Sequence, residues 1–212
     1  MELLEQIAAA LDKGDHAQVG QLTQQAIDSG LAPKTILDDG LIAGMTVVGL
    51  KFKRHEIFLP DVLLAARAMY AGMDLLKPLL IKDEIPTLGK VVIGSVQGDL
   101  HDIGKNLVAI MLRGAGFEVI DLGNDVSPEK FVTAAAEQGA SAIGLSALLT
   151  TTMPIMKQVV ELVKEKGLTG KVKVVIGGAP VTAEYAAEIG ADGYAFDGVS
   201  AVDRVKVLVG AE

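Results

Sequence analysis

The chain has 212 residues, half of them apolar and only 4% aromatic, with a formal net charge of −8. That charge, with no basic run anywhere, argues against nucleic acid as the main ligand, because a polyphosphate would be repelled on average. There is no cysteine, so disulfides, thiolate catalysis and thiolate–zinc sites are excluded, and only His16, His55 and His101 can supply imidazole.

Residues 1 to about 82 read as helices. Leu3, Leu4, Ile7, Ala8 and Leu11 share a face at helical spacing, and the segment stops near Gly14. Val19, Leu22, Thr23, Ala26 and Ile27 repeat the pattern up to Gly30. Pro33 suits the first turn of a third helix carrying Ile36, Leu37, Leu41, Met45 and Val48. Pro60 opens a fourth with Leu63, Leu64, Met69, Met73, Leu76 and Leu80. Four helices with short connections predict a small antiparallel bundle. No apolar run reaches the roughly 18 residues that a spanning helix needs, so no membrane partner is expected. The opening MELLEQIAAALDKGD lacks a basic stretch followed by an apolar one, which makes the cytoplasm the expected address.

The stretch from Lys82 to Gly89, charged at one end and holding Pro86, reads as a linker. Beyond it the period changes. Short β-branched runs at Lys90–Val96, Phe117–Asp121, Ala142–Ser146 and Val172–Ile176, with a weaker one at Tyr194–Phe196, alternate with helical stretches. Those stretches fall near 104–115, 128–138, 153–166, 181–189 and 200–209. This alternation predicts a parallel sheet with helices on both faces, which binds ligands beyond the carboxyl ends of its strands.

The loop after the first strand is Gly98-Asp99-Leu100-His101-Asp102-Ile103-Gly104. Its glycine spacing fits neither a dinucleotide fingerprint nor a Walker loop. It places a histidine between two acids at the ligand-binding edge, with flanking glycines that let the backbone pass close to a bulky ligand. A metal-ligating imidazole commonly donates its other N–H to a carboxylate. In an extended loop Asp99 suits that role and Asp102 points elsewhere, although an ordinary solvated loop has the same composition. The third strand ends in Ser146-Ala147-Leu148-Leu149-Thr150-Thr151-Thr152, whose hydroxyls could cap the next helix or face the crevice beside His101. The fourth ends in Gly177-Gly178, which allows a ligand close to the backbone or simply makes a tight turn.

Asp99-x-His101-x-x-Gly104, then Ser146-x-Leu148, then Gly177-Gly178 together resemble the signature of base-off/His-on cobalamin-binding domains. Glu56-Ile57-Phe58-Leu59-Pro60 is similar to the helical cap of methionine synthase, and the whole chain resembles the small corrinoid proteins of anaerobic methyltransferase systems. The resemblance implies a four-helix cap over residues 1–85 and a Rossmann-like (flavodoxin-like) cobalamin-binding domain over residues 86–212. It implies His101 as the lower cobalt ligand, Asp99 accepting its N–H, and Thr152 as the relay hydroxyl where methionine synthase has a serine. Gly98, Leu100 and Asp102 belong to the same cofactor-binding loop. Ser146 and Thr150 would line the pocket for the displaced nucleotide tail, beside Leu148. Gly104, Gly177 and Gly178 would let the tail pass, and Asp197 and Gly198 would meet it at the last strand end. Phe58 would cover the methyl-bearing face, with Leu59 and Leu63 as weaker candidates.

The implied function is a carrier that takes a methyl group onto cobalt from a substrate-specific methyltransferase and gives it to a second one acting on a folate or thiol. Methylcobalamin is then the loaded state, and a reductive activase is a further partner. With no cysteine and no other clustered histidines, activation of the methyl donor is expected on the partner. The cap must swing aside for each transfer, with residues 82–89 as the hinge. A mutase small subunit would not need the cap, and a cobalamin-dependent sensor would need an output domain. A metallohydrolase would need ligands beyond His101, Asp99 and Asp102.

Overall fold

The computed structural model describes residues 2–82 and 87–211. Residues 83–86, half of the expected hinge, lie outside the described residues. The chain divides into two compact units, Met1–Pro86 with Gly114–Gly116, and Thr87–Arg113 with Phe117–Glu212.

The first unit is helical. It holds α1 (Leu3–Asp12), α2 (His16–Asp28), α3 (Pro33–Thr35), a π-helical segment (Ile36–Ile42), α4 (Ala43–Lys53) and α5 (Leu59–Lys82). The Asp15 carboxylate accepts the Gln18 N–H at 3.0 Å and so starts α2. The expected third helix runs from α3 into α4 with right-handed helical dihedrals at both joins, but its middle is π. Ile36 and Leu41, five residues apart, are both fully buried. The wider π turn brings that spacing onto one face where a 3.6-residue period would not. Helices approach closely at small residues: a Cβ on Gly44 would lie 3.0 Å from the Ala8 backbone, and one on Gly72 would lie 2.7 Å from Leu41. On α5, Val62, Ala65, Met69 and Leu76 are buried, whereas Leu63 and Leu64, expected on the apolar stripe, are about half exposed.

The second unit is a five-stranded sheet of β1 (Lys90–Ser95), β2 (Glu118–Asp121), β3 (Ala142–Ser146), β4 (Lys173–Gly177) and β5 (Gly193–Ala195). All pairings are parallel, in the order β2-β1-β3-β4-β5. The helices are α6 (Ile103–Gly114), α7 (Pro128–Gln138), α8 (Met153–Glu165), α9 (Ala183–Ile189) and α10 (Gly198–Val209). Val92, Ile143, Leu145, Val174 and Ile176 bury one sheet face in a cluster with Phe131 and Val132 of α7, Met156, Val159 and Val160 of α8, and Ile189 of α9. Val91, Ile93 and Val175, which alternate with them, are buried on the other face, and α10 packs on β4 and β5. A Cβ on Gly198 would sit 2.5 Å from Met111 Sδ, so a larger residue there would have to displace that side chain where α10 meets α6.

Strand order reverses between β1 and β3, the switch point where such sheets bind ligands. The register aligns Ser95 with Ser146, Ser146 with Gly177 and Gly177 with Ala195. The three motifs, far apart in sequence, thus begin from one row along a single sheet edge.

Candidate functional site

Strand β1 ends at Ser95, and the chain turns through Gly98, at φ 82°, into the histidine loop before α6. Asp99 is fully buried there, while the His101 side chain is 53% exposed. Asp99 Oδ1 lies 2.8 Å from His101 Nδ1 and also accepts the His101 main-chain N–H at 3.0 Å. Its Oδ2 accepts N–H groups from Leu148 at 2.7 Å and Leu149 at 3.2 Å, and the Thr152 hydroxyl at 2.9 Å. Burial pushes the Asp99 carboxyl up, but the Leu148 and His101 N–H groups, the His101 ring and the Thr152 hydroxyl outweigh it. They hold Asp99 well below the usual carboxylate range. It is therefore ionised at neutral pH, and it leaves Nε2 as the ring nitrogen open to a ligand.

Thr152 occupies the N-cap position of α8 yet makes no side-chain cap bond. Its hydroxyl lies 2.9 Å from both Asp99 Oδ2 and the Leu149 carbonyl oxygen, so the capping role open to it in the sequence is not the one it takes. Leu148 contributes its main-chain N–H to Asp99, and its side chain is exposed. Ser146 is half-buried at the end of β3, and Thr150 is exposed in the following turn. Asp102 gives its carbonyl to the Asn106 N–H at 2.7 Å.

The glycines separate into two kinds. Gly178 has φ 126°, and a Cβ there would lie 1.9 Å from the Ala147 carbonyl oxygen. A Cβ on Gly177 would lie 2.8 Å from the Ala195 carbonyl oxygen. The protein's own backbone requires both. Gly104 is exposed in the first turn of α6 and would meet nothing within 4 Å. Asp197 caps α10, accepting the Ser200 N–H at 2.7 Å, and Gly198 is the position packed against Met111.

Two buried polar residues of the site, Ser95 and Lys105, carry no motif in the sequence. Ser95, fully buried, donates its hydroxyl to the His101 carbonyl at 2.6 Å. Lys105, almost fully buried, donates to both Asp121 oxygens at 2.6 Å and to Asn106 Oδ1 at 2.7 Å. Leu100, Ile103, Leu149 and Phe196 stand exposed with Leu148, and Phe196 is 82% exposed. These apolar side chains at one sheet edge fit a broad, flat macrocycle better than a small polar substrate. Among the described residues no group of three or more His, Cys, Asp or Glu could hold a metal ion. His101 fits a metal that brings its other ligands with it. Phe58, on the helical unit, is 65% exposed at the start of α5, where Asp61 accepts its N–H at 2.9 Å, so it is not part of the bundle core.

The fold is that of a B12-binding protein. Residues 89–206 match the B12 binding domain family, and residues 3–77 match a second family of the same description. The chain belongs to the corrinoid proteins of methyltransferase systems. It is 44% identical to a corrinoid protein of Desulfitobacterium hafniense, over 99% of both chains. It is 46% identical to dimethylamine corrinoid protein 1 of Methanosarcina acetivorans, over 98% of both. Among solved structures, it aligns over 99% of its length with 80% of a chain in the methanol:cobalamin methyltransferase complex of Methanosarcina barkeri, at TM-score 0.87 and 32% identity. A cobalamin-binding protein of D. hafniense aligns at TM-score 0.80 and 33% identity, over 97% of this chain and 98% of that one. No helix among the described residues is long and apolar enough to cross a membrane.

Proposed function

We propose that this protein is a methyl carrier. It holds cobalamin base-off/His-on, accepts a methyl group on cobalt from a substrate-specific methyltransferase, and passes it to a second methyltransferase acting on a folate or thiol. The observation that carries this reading is the Thr152–Asp99–His101 chain, with its carboxylate buried and its imidazole exposed. Matches over nearly the full length of methylamine corrinoid proteins, helical unit included, favour a carrier over a mutase subunit or a sensor.

When bound, cobalamin supplies a cobalt that takes and gives up a methyl group, chemistry the side chains cannot supply. The residues of the chain ligate, orient and exclude water. His101 would hold the cobalt through Nε2. Ionised Asp99 keeps the proton on Nδ1, which fixes the tautomer and the orientation of the ring, and Thr152 orients Asp99. Leu100, Ile103, Leu148, Leu149 and Phe196 would exclude water from the bound cofactor. Ser146, Thr150, Gly98, Gly104, Gly177 and Gly178 are the residues that would hold the nucleotide tail. Asp102 completes the cofactor loop through its main chain. Asp197 and Gly198 are assigned to the tail by resemblance alone, as is Phe58 to the methyl-bearing face. A reductive activase would restore the cofactor after adventitious oxidation.

The test is electron paramagnetic resonance of the Co(II) form. One histidine nitrogen should split the signal, and His101→Ala should remove that splitting. A splitting that survives the substitution would remove His101 from its role.

A further inference from the structure

The histidine loop has no strand to pair its backbone, so other groups must satisfy it. Much of that work falls to the loop after β2. The Asp125 carboxylate accepts the Gly98 N–H at 2.7 Å, and the Asp125 N–H donates to the Asp99 carbonyl at 3.1 Å. Asn124 donates its side-chain amide to the Leu100 carbonyl at 3.3 Å. The same loop is fastened to β1, since Val126 N–H donates to the Ser95 carbonyl and Ser95 N–H to the Gly123 carbonyl, each at 3.0 Å. Ser95 then holds the His101 carbonyl from below. At its root, Asp121 accepts the Gly123 N–H at 2.9 Å and is held by Lys105. Asp125 sits at φ 52°, a left-handed conformation that Asp and Asn adopt more readily than other side chains.

We propose that Asp125, assisted by Asn124, is a positioning residue that clamps the histidine loop with the His101 ring in its metal-ligating pose. This rests on the reading of His101 as the lower ligand. Asp99 sets the tautomer of the ring, whereas Asp125 grips the main chain on both sides of Asp99. It thereby determines where the whole Asp99–His101 unit stands. Without the clamp, the imidazole would spend more time off the metal even with Asp99 and Thr152 intact.

The decisive variants are Asp125→Gly and Asp125→Asn. Glycine accommodates the positive φ but removes the acceptor, and asparagine keeps both the conformation and an acceptor oxygen. Each variant is titrated with cobalamin, examined as the Co(II) form by electron paramagnetic resonance, and followed in thermal unfolding without cofactor. Asp125→Gly is expected to bind about tenfold more weakly, the lower end of outer-shell effects. It should also show a signal component lacking nitrogen splitting, while its unfolding midpoint stays near that of wild type. Asp125→Asn should stay within about twofold of wild type in affinity. Asn124→Ala, altering an exposed side chain, should shift affinity the same way by a smaller factor. Wild-type splitting and affinity in Asp125→Gly, or equal damage in Asp125→Asn, would overturn the clamp and leave His101 ligation standing. If wild-type protein itself showed no nitrogen splitting, the ligation reading would fall and take this inference with it.

Discussion

Replacing Asp99 with asparagine changes one oxygen to an amide at the most connected buried atom group of the site. The carboxylate accepts five contacts, from the His101 N–H and ring Nδ1 on one oxygen and from Leu148, Leu149 and Thr152 on the other. The two main-chain N–H groups of Leu148 and Leu149 cannot turn away, so the amide oxygen must face them. Its NH₂ then faces the His101 N–H, leaving one buried donor unsatisfied at about 1–3 kcal/mol. It also faces Nδ1, which can accept only in the tautomer that carries its proton on Nε2, the nitrogen proposed to ligate cobalt. Asp99→Asn should therefore lower cofactor affinity about 10–100-fold. The apo chain should lose about 1–3 kcal/mol in urea unfolding at neutral pH. The pH dependence follows from the depressed pKa of Asp99. Its stabilisation is fully present above the unfolded-state value of about 3.9 and is lost as pH falls from there through the lower folded value. The substitution should flatten that acid limb and leave stability between pH 5 and 8 parallel to wild type. Spectroscopic cobalamin titration and urea unfolding at several pH values measure both effects. An Asp99→Asn protein with wild-type affinity and nitrogen splitting would refute the tautomer argument.

The two kinds of glycine make opposite predictions. Gly178→Ala, with its positive φ and a Cβ placed at 1.9 Å from a carbonyl oxygen, should cost roughly 3 kcal/mol or more and lower the soluble yield. Gly104→Ala, in open space on a helix, should raise apo stability by about 0.5–1 kcal/mol and yet weaken cobalamin binding; unchanged binding would remove Gly104 from the tail path. Phe58→Ala should change apo stability by less than about 0.5 kcal/mol, because the ring is already exposed. It should also speed photolysis of the methyl-loaded protein, and equal photolysis in both proteins would withdraw Phe58 from the methyl face.

Much of the architecture was legible because it rests on local periodicity. Val92, Ile143 and Val174 lie in β-branched runs that mark buried parallel strands, and the helices between them begin and end within two residues of expectation. The π segment was not legible, since residues Ile36–Ile42 match a helical stripe and only packing against α1, where a Gly40 Cβ would lie 3.3 Å from Ile7, distinguishes the wider turn. The exposure of Leu63 and Leu64 was equally invisible, because an apolar residue carries no label for the face it meets.

In the site, a contact between Asp99 and His101 was open to the sequence because two residues of one short loop can meet, although an ordinary solvated loop has the same composition. Their partners were not. Thr152 lies 53 residues from Asp99 and Asp125 lies 27 from Gly98, so only the parallel register that sets β3 beside β1, and the loop that ties β2 to the end of β1, brings them within hydrogen-bond reach. That the chain itself requires a glycine at Gly178 was likewise set by the Ala147 carbonyl beside it. The sequence by itself determined two kinds of element and the sheet edge at which Asp99 and His101 stand. The tertiary structure alone decided which distant groups bury that acid and grip its loop, because such contacts depend on strand order and register, and these are properties of the whole sheet.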